Sequence, residues 1–576
     1  MLRFRQAILS ANAEQHTLQP GRANSFEALH VDFQQSSEQG GQRFSVFLHP
    51  KQDLRVQRLE LQFDCSFPPG AHFFANGYQS WSESQLLPIG ATIPRLRRIA
   101  RRHMGLYGDE HIAGIPRGRG RLHAWTYTYL KVAGRSEITL LGSLSERTGF
   151  TLFLYDHASS TLTVRKDLDD LQLSHSFPAL DFWVGEGAEQ EVFDAWFRAA
   201  EIAPPAAAAA LGWTSWYRHF THISEEVARK NLDSFAAQCP HGAYFQIDDG
   251  WQTQVGDWRS VKPTFPSGMA DLAARVRAKG LQPGLWLAPF VAAAQSDLAK
   301  KHPDWLLKDA KGRPLKVGWN PMWGGWYYAL DFYHEGVREY LSGVFHVVLD
   351  KWGFELLKLD FLFAACLVPP LGKTRGGVMW EVMEFLRHQV GARRMLACGV
   401  PLGACFGVAD YCRIGGDIHL AWQHGLLAFL RHRERVDSLA SLRSTLGRWH
   451  LHGRAFVNDP DVFILRTEHQ SLSPEQQHTI LIINVLLGGL LFHSDDVADY
   501  SAEQSAELEA ALAWRGSRVR GVFEREKDLF RIDFEKEGEA FSAFCNLNGR
   551  ARNFPARQKE NSNVELLPFE SLILRV

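Results

Sequence analysis

Several protein classes are marked by features that this chain of 576 residues lacks. It has no surplus charge: 63 lysines and arginines face 64 aspartates and glutamates, a formal net charge of −1. That balance offers nothing global to nucleic acid or to an anionic membrane, and neither is expected as a partner. No apolar run is long enough for a transmembrane helix. The opening MLRFRQAILSANAEQH lacks the longer apolar core and small-residue cleavage site of a secretory signal. The seven cysteines (Cys65, Cys239, Cys366, Cys398, Cys405, Cys412 and Cys545) are scattered, odd in number and free of CxxC pairs. Reduced thiols in a cytoplasmic protein are expected, not a disulfide framework or a structural zinc site. There is no HExxH, and no glycine-rich phosphate loop or GxGxxG follows a strand. Catalytic zinc, phosphoryl transfer and dinucleotide binding are thus left without a motif, and no cofactor or metal is expected.

Aromatic residues are plentiful, with 18 Trp, 13 Tyr and 38 Phe. Indole faces stack on the C–H faces of sugars, but they also fill cores. The length exceeds what one core holds, so two to four domains are expected. Residues 1–202 read as an N-terminal antiparallel β-sandwich, from short alternating runs such as RFSVFLH (43–49), RLELQFD (58–64), EITLLGSL (137–144) and GFTLFLYD (149–156). Two stretches interrupt it. The polar, aromatic-rich ANGYQSWSES (75–84) reads as a loop, with Trp81 a core anchor ahead of the alternative that it reaches a ligand. Arg95, Arg97, Arg98, Arg101 and Arg102 read as a solvated face or loop, with an anion or interface site as the lesser alternative. After a helical EQEVFDAWFRAAEI (189–202), the APPAAAAALG run at 203–212 marks a change of regime.

Residues 203–500 alternate short apolar strands with helical patterns. Eight strands are predicted: LGWTSW (211–216), AYFQIDDG (243–250), PGLWLAP (283–289), ELLKLDF (355–361), RMLACGV (394–400), YCRIGGDI (411–418), AFVNDPDVF (455–463) and ILIINVLLGGLLFHSDD (480–496). Eight β/α units predict a (β/α)8 TIM barrel; a doubly wound open sheet is the alternative. Residues 501–576 open with a helix (502–514) and return to β alternation, predicting a small C-terminal antiparallel β domain.

A barrel places its chemistry at the carboxyl ends of the strands. Those ends carry Asp248-Asp249, Asp360, Asp417, Asn458-Asp459-Pro460-Asp461 and Ser494-Asp495-Asp496, with Trp286 on the third strand. One aspartate after a strand is ordinarily a helix cap, but this many exceed what capping needs. Carboxylates among indoles describe a sugar pocket. Lys358 and Asp360 lie two apart, so both emerge on one side of a buried strand, as a structural ion pair or as working groups. A lysine beside the central carboxylate argues against a divalent cation. Two-carboxylate glycoside hydrolysis fits better. Lys358 would favour the Asp360 anion, as a nucleophile needs, and Asp417 next to a Gly-Gly bend is the candidate acid. Arg413 would either lower the Asp417 pKa or bind a sugar hydroxyl.

These residues resemble the retaining α-galactosidases of glycoside hydrolase family 36, in the clan shared with families 27 and 31. The resemblance rests on GWTSWY (212–217), YFQIDDGWQTQVGDW (244–258), GLWLAPF (284–290) with HPDW (302–305), the Lys-x-Asp of LLKLDF, and RIGGD (413–417). It implies Asp360 as nucleophile and Asp417 as general acid/base. It implies that Asp248 and Asp249 accept from the O4 and O6 hydroxyls of galactose, and that Lys358 and Arg413 bind ring hydroxyls. Trp286 and Trp216 would line the pocket, and Trp81 would reach in from the sandwich domain, displacing its core reading. The implied substrates are small terminal α-galactosides of the melibiose or raffinose type. The alternatives are an α-N-acetylgalactosaminidase, a galactosyl transferase of the raffinose-synthase kind and a catalytically silent carbohydrate-binding protein. A homo-oligomer is left open.

Overall fold

The computed structural model describes residues 2–576 apart from 69, 133–134, 169, 240 and 558–559, and no side chain within 555–563. Among the described residues, the N-terminal part forms two antiparallel sheets of seven and eight strands. Alternation drives their packing. Leu9, Leu59 and Leu61 of one sheet meet Val31, Val46 and Phe182 of the other in one buried core. A helix, Glu189–Ala199, follows the last sandwich strand.

The central sheet is parallel throughout. Its strands are Ala210–Thr214, Tyr244–Ile247, Gln282–Leu287, Leu356–Leu359, Arg394–Ala397 and Tyr411–Arg413, then a seventh in two pieces, Val457–Asp459 and Val462–Phe463, and an eighth, Leu490–His493. The divided seventh strand closes the ring: its first piece pairs with the sixth strand and its second with the eighth. Pro460 has no N–H to donate and Asp461 sits at φ 78°, so the ladder changes partner there. The eighth strand joins the first. The fold is a (β/α)8 barrel flanked by an N-terminal β-sandwich and a C-terminal antiparallel sheet.

The predicted eighth strand is half wrong. Residues 474–487 form a helix, capped by Ser473 with Gln476 reciprocating, and only Leu490–His493 is strand. A run such as ILIINVLL carries no period because the helix is buried nearly all round, between the barrel and the C-terminal sheet. Two elements have no counterpart in the prediction. One is a three-stranded antiparallel insert after the third strand (Val291–Ala293, Lys316–Asn320, Gly325–Ala329). The other is a strand pair, Arg552–Arg557 with Glu560–Leu566, beside the four-stranded C-terminal sheet. No described helix is long and apolar enough to cross a membrane.

The loop 75–84 is a loop, yet every residue in it is buried. Its carbonyls are satisfied by a buried guanidinium: Arg448 donates to Asn76 Oδ1 (2.9 Å), Ser80 O (2.7 Å) and Gln79 O (3.2 Å), and also to Ile414 O on the barrel (3.0 Å). The sandwich loop is thereby fixed to the sixth strand. The arginine cluster is also more than a solvated face. Arg95 and Arg101 pair with Glu110, Arg97 lies 3.9 Å over the Phe429 ring and Arg102 lies 5.6 Å over Trp326, so it ties the sandwich to rim elements of the barrel.

Candidate active site

The fourth strand supplies the centre of the site. Lys358 is in register with Trp286 of the third strand, and alternation turns Lys358 and Asp360 into the barrel while Leu357 and Leu359 face the helices. Asp360 N still donates to Leu287 O (2.8 Å), continuing the ladder. Phe361 then takes φ 55°, a strained conformation for a bulky residue, and the chain leaves the strand. Its ring is held by Trp81 (4.9 Å), Trp323 (5.0 Å) and Tyr327 (5.7 Å), which supply the packing that maintains the turn.

Asp360 is 8% exposed. Trp286 Nε1 donates to Oδ2 (2.9 Å) and Phe361 N to Oδ1 (3.0 Å). Burial pushes its carboxyl up to about 6; Lys358 pulls the other way and the charge of Asp417 adds to the rise. Lys358 does not ion-pair with Asp360 as the spacing suggested. Its ammonium donates to Asp248 Oδ2 at 2.9 Å, because the second strand presents that oxygen across the barrel. Burial would lower the Lys358 ammonium, but Asp248 outweighs it and keeps it charged.

The paired aspartates differ. Asp248 Oδ2 also accepts from Gln246 Nε2 (2.7 Å) and Thr214 Oγ1 (3.4 Å), and Oδ1 accepts from Asp249 N (2.9 Å). Asp249 accepts one bond at each oxygen, from Gln252 Nε2 (2.6 Å) and Trp323 Nε1 (2.8 Å), and burial raises its carboxyl. Lone pairs remain for a ligand on Asp249 more than on Asp248.

Arg413 points at Asp417, the first of the two readings its sequence left open. It is 3% exposed and lies beneath the cavity, not in its wall. Its Nε donates to Asp459 (3.0 Å), one terminal nitrogen meets Asp461 (2.8 Å) and the other donates to Asp417. With three carboxylates around it, Arg413 holds Asp417 in place. Asp459 and Asp461, counted above among the strand-end aspartates, are its anchors. Asp461 is in turn held by Tyr217 OH and Ile418 N (2.8 Å). Asp417 itself remains half-buried and faces the cavity. Asp495 and Asp496 are turned to structural work: Asp495 pairs with Arg466, and Asp496 pairs with Lys230 and caps a helical turn.

One cavity of about 420 Å³ collects Asp248, Asp249, Lys358, Asp360 and Asp417 with Trp81, Trp216 and Trp286. Trp81 both packs against Phe361 and lines the cavity, because Gly399, at φ 59°, lets the indole approach where a Cβ would stand 2.9 Å from it. Sequence reasoning missed Trp323, Tyr107 and Glu434, which also line it. Trp323 lies in the PMWGGW turn of the insert; the glycine pair signalled a tight turn but not what its indole would touch.

Acidic side chains, a buried lysine and clustered indoles at the carboxyl rim of a barrel define a carbohydrate-active hydrolase. The Melibiase family model matches residues 220–363. The α-galactosidase AgaA of Geobacillus stearothermophilus is 33% identical over 121 residues, 20% of this chain and 16% of that protein. An A type blood α-D-galactosamine galactosaminidase of Flavonifractor plautii is 30% identical over 162 residues, 27% of this chain and 14% of that one. The matched stretches thus span about a seventh of these curated relatives' length. Over the whole chain, the structure of TtGalA, an α-galactosidase from Thermus thermophilus in complex with p-nitrophenyl α-D-galactopyranoside, is 30% identical, with a TM-score of 0.70, covering 92% of this chain and 98% of that one. The chain belongs to the α-galactosidases of glycoside hydrolase family 36.

Proposed function

We propose that the protein is an exo-acting retaining α-galactosidase, releasing terminal non-reducing galactose from small α-galactosides of the melibiose or raffinose type. The carrying observation is that Asp360 and Asp417, from strands four and six, line one cavity with the Asp248-Asp249 pair. The substrate class is supported by the whole-length relative, whose structures hold p-nitrophenyl α-D-galactopyranoside and stachyose.

In this reading Asp360 attacks the anomeric carbon while Asp417 gives its proton to the departing glycosidic oxygen, leaving a β-galactosyl ester on Asp360. Asp417, now a carboxylate, takes a proton from water. The water oxygen bonds to the anomeric carbon, the ester bond breaks, and galactose leaves with α configuration. Trp286 holds the nucleophile by its N–H, and Asp249 accepts from the galactose hydroxyls opposite. Lys358 neutralises Asp248 and lowers the cost of the Asp360 charge.

Because Asp360 must be ionised to attack and burial raises it to about 6, kcat/KM is expected to fall as pH drops through about 6, tenfold per unit below it. The free-enzyme pH profile on an aryl α-galactoside checks this; a flat profile down to pH 4 would contradict it. A panel of aryl α-glycosides tests the function. Release from the galactoside alone is expected, and preference for the glucoside would sink the proposal. Preference for the N-acetylgalactosaminide would establish the second reading, which the Flavonifractor plautii relative keeps in view. The reading places the enzyme in the cytoplasm, supported by seven free cysteines, of which all but Cys239 are buried.

A further inference from the structure

The mechanism leaves one cavity carboxyl unused. Glu434 lines the cavity, and its side chain is only 7% exposed. Burying a carboxyl is unfavourable unless it is satisfied or put to use. One oxygen is satisfied: Ser82 Oγ donates to Oε1 at 2.5 Å. Among the described residues, none but Ser82 is recorded donating to this carboxyl from another position in the chain. His432 Nδ1 stands 3.5 Å from Oε2, and burial pushes that imidazole down to about 3, so it carries no charge to pair with.

The place of Glu434 is set by its neighbours. Glu83 N donates to Arg433 O (2.9 Å), pinning the turn to the loop that carries Trp81. On the other side Asp437 N donates to Asp417 O (2.8 Å), and a Cβ on Gly416 would stand 2.6 Å from Arg435 O. Residues 433–437 therefore run alongside Gly416-Asp417. Glu434 lies on the flank of the proposed acid/base, and not on strands two and three, which carry Asp248, Asp249 and Trp286. A proton donor to the glycosidic oxygen faces the leaving group, so its flank is where the departing sugar lies. A cavity of about 420 Å³ has room for more than one sugar ring.

Resting on the galactosidase reading, we infer that Glu434 is a specificity residue of a leaving-group subsite, its free carboxyl oxygen hydrogen-bonding a hydroxyl of the sugar attached to galactose. The free oxygen accepts from a hydroxyl, which the amide nitrogen of a glutamine in its place cannot do. An aryl leaving group without hydroxyls does not use it.

The test compares kcat/KM for melibiose with that for p-nitrophenyl α-galactoside. In Glu434→Ala the ratio of the two is expected to fall at least ~10-fold, carried mainly by KM for melibiose. Glu434→Gln keeps the packing and the acceptor for Ser82, and its ratio is expected to fall at least ~3-fold, so the test survives if the alanine variant misfolds. Equal losses on both substrates would mean that Glu434 only holds the Trp81 loop, and would overturn the inference. An unchanged ratio in both variants, with an active wild type, would overturn it alone. A wild type inactive on both substrates would overturn the galactosidase reading, and the inference with it.

Discussion

Asp360→Ala is expected to lower kcat on p-nitrophenyl α-galactoside by ~10⁴-fold or more, about 5.5 kcal/mol of lost transition-state stabilisation. A variant without the carboxylate has no atom to form the glycosyl ester, and Trp286 Nε1 and Phe361 N are left pointing at nothing. Melting and circular dichroism should stay near wild type, because burial already disfavours the carboxylate that is removed. Azide, small enough for the vacated space, should restore part of the turnover and give β-galactosyl azide, the product of a single inversion. A residual activity near a tenth of wild type, or no recovery of any product, would remove Asp360 from the nucleophile's role.

Asp417→Ala is expected to separate substrates by their leaving groups. On melibiose, which needs a proton on its departing oxygen, kcat/KM should fall by ~10²–10⁴-fold. On 2,4-dinitrophenyl α-galactoside it should fall far less, since that leaving group departs as a stable anion. The glycosyl ester then accumulates for want of a base, and azide should release it as α-galactosyl azide, with retained configuration. The geometry supports this role. Asp417 is 32% exposed and can exchange protons with solvent, while Arg413 beneath it divides its charge among Asp417, Asp459 and Asp461. If the two variants gave azides of the opposite configurations, the roles of Asp360 and Asp417 would be exchanged.

Much of this was legible along the chain because it is local. Strand spacing and the alternation in ELLKLDF are read within a few residues, and the backbone alone turns Lys358 and Asp360 to one side. The aspartates at strand ends were legible as a set, since the barrel brings strand ends to one rim whatever the helices between them are. Legibility failed where the period vanished. ILIINVLL is apolar at nearly every position, so its helix could not be told from a strand. It also failed where a loop reached far. Nothing near PMWGGW says that Trp323 will donate to Asp249, 74 residues back in the chain.

By itself the sequence determined the barrel, its flanking β domains, and which aspartates stand at the rim. Which groups those aspartates face was decided only in three dimensions. Asp248 took Lys358; Asp459 and Asp461 took Arg413; Asp495 took Arg466 and left the site. The physical reason is that alternation sets the face of a side chain, whereas its partner depends on distances across the barrel and between domains. Those distances are settled by packing: by Gly399 admitting Trp81, by Arg448 clamping the sandwich loop to the sixth strand, and by Ser82 meeting Glu434 across the same seam.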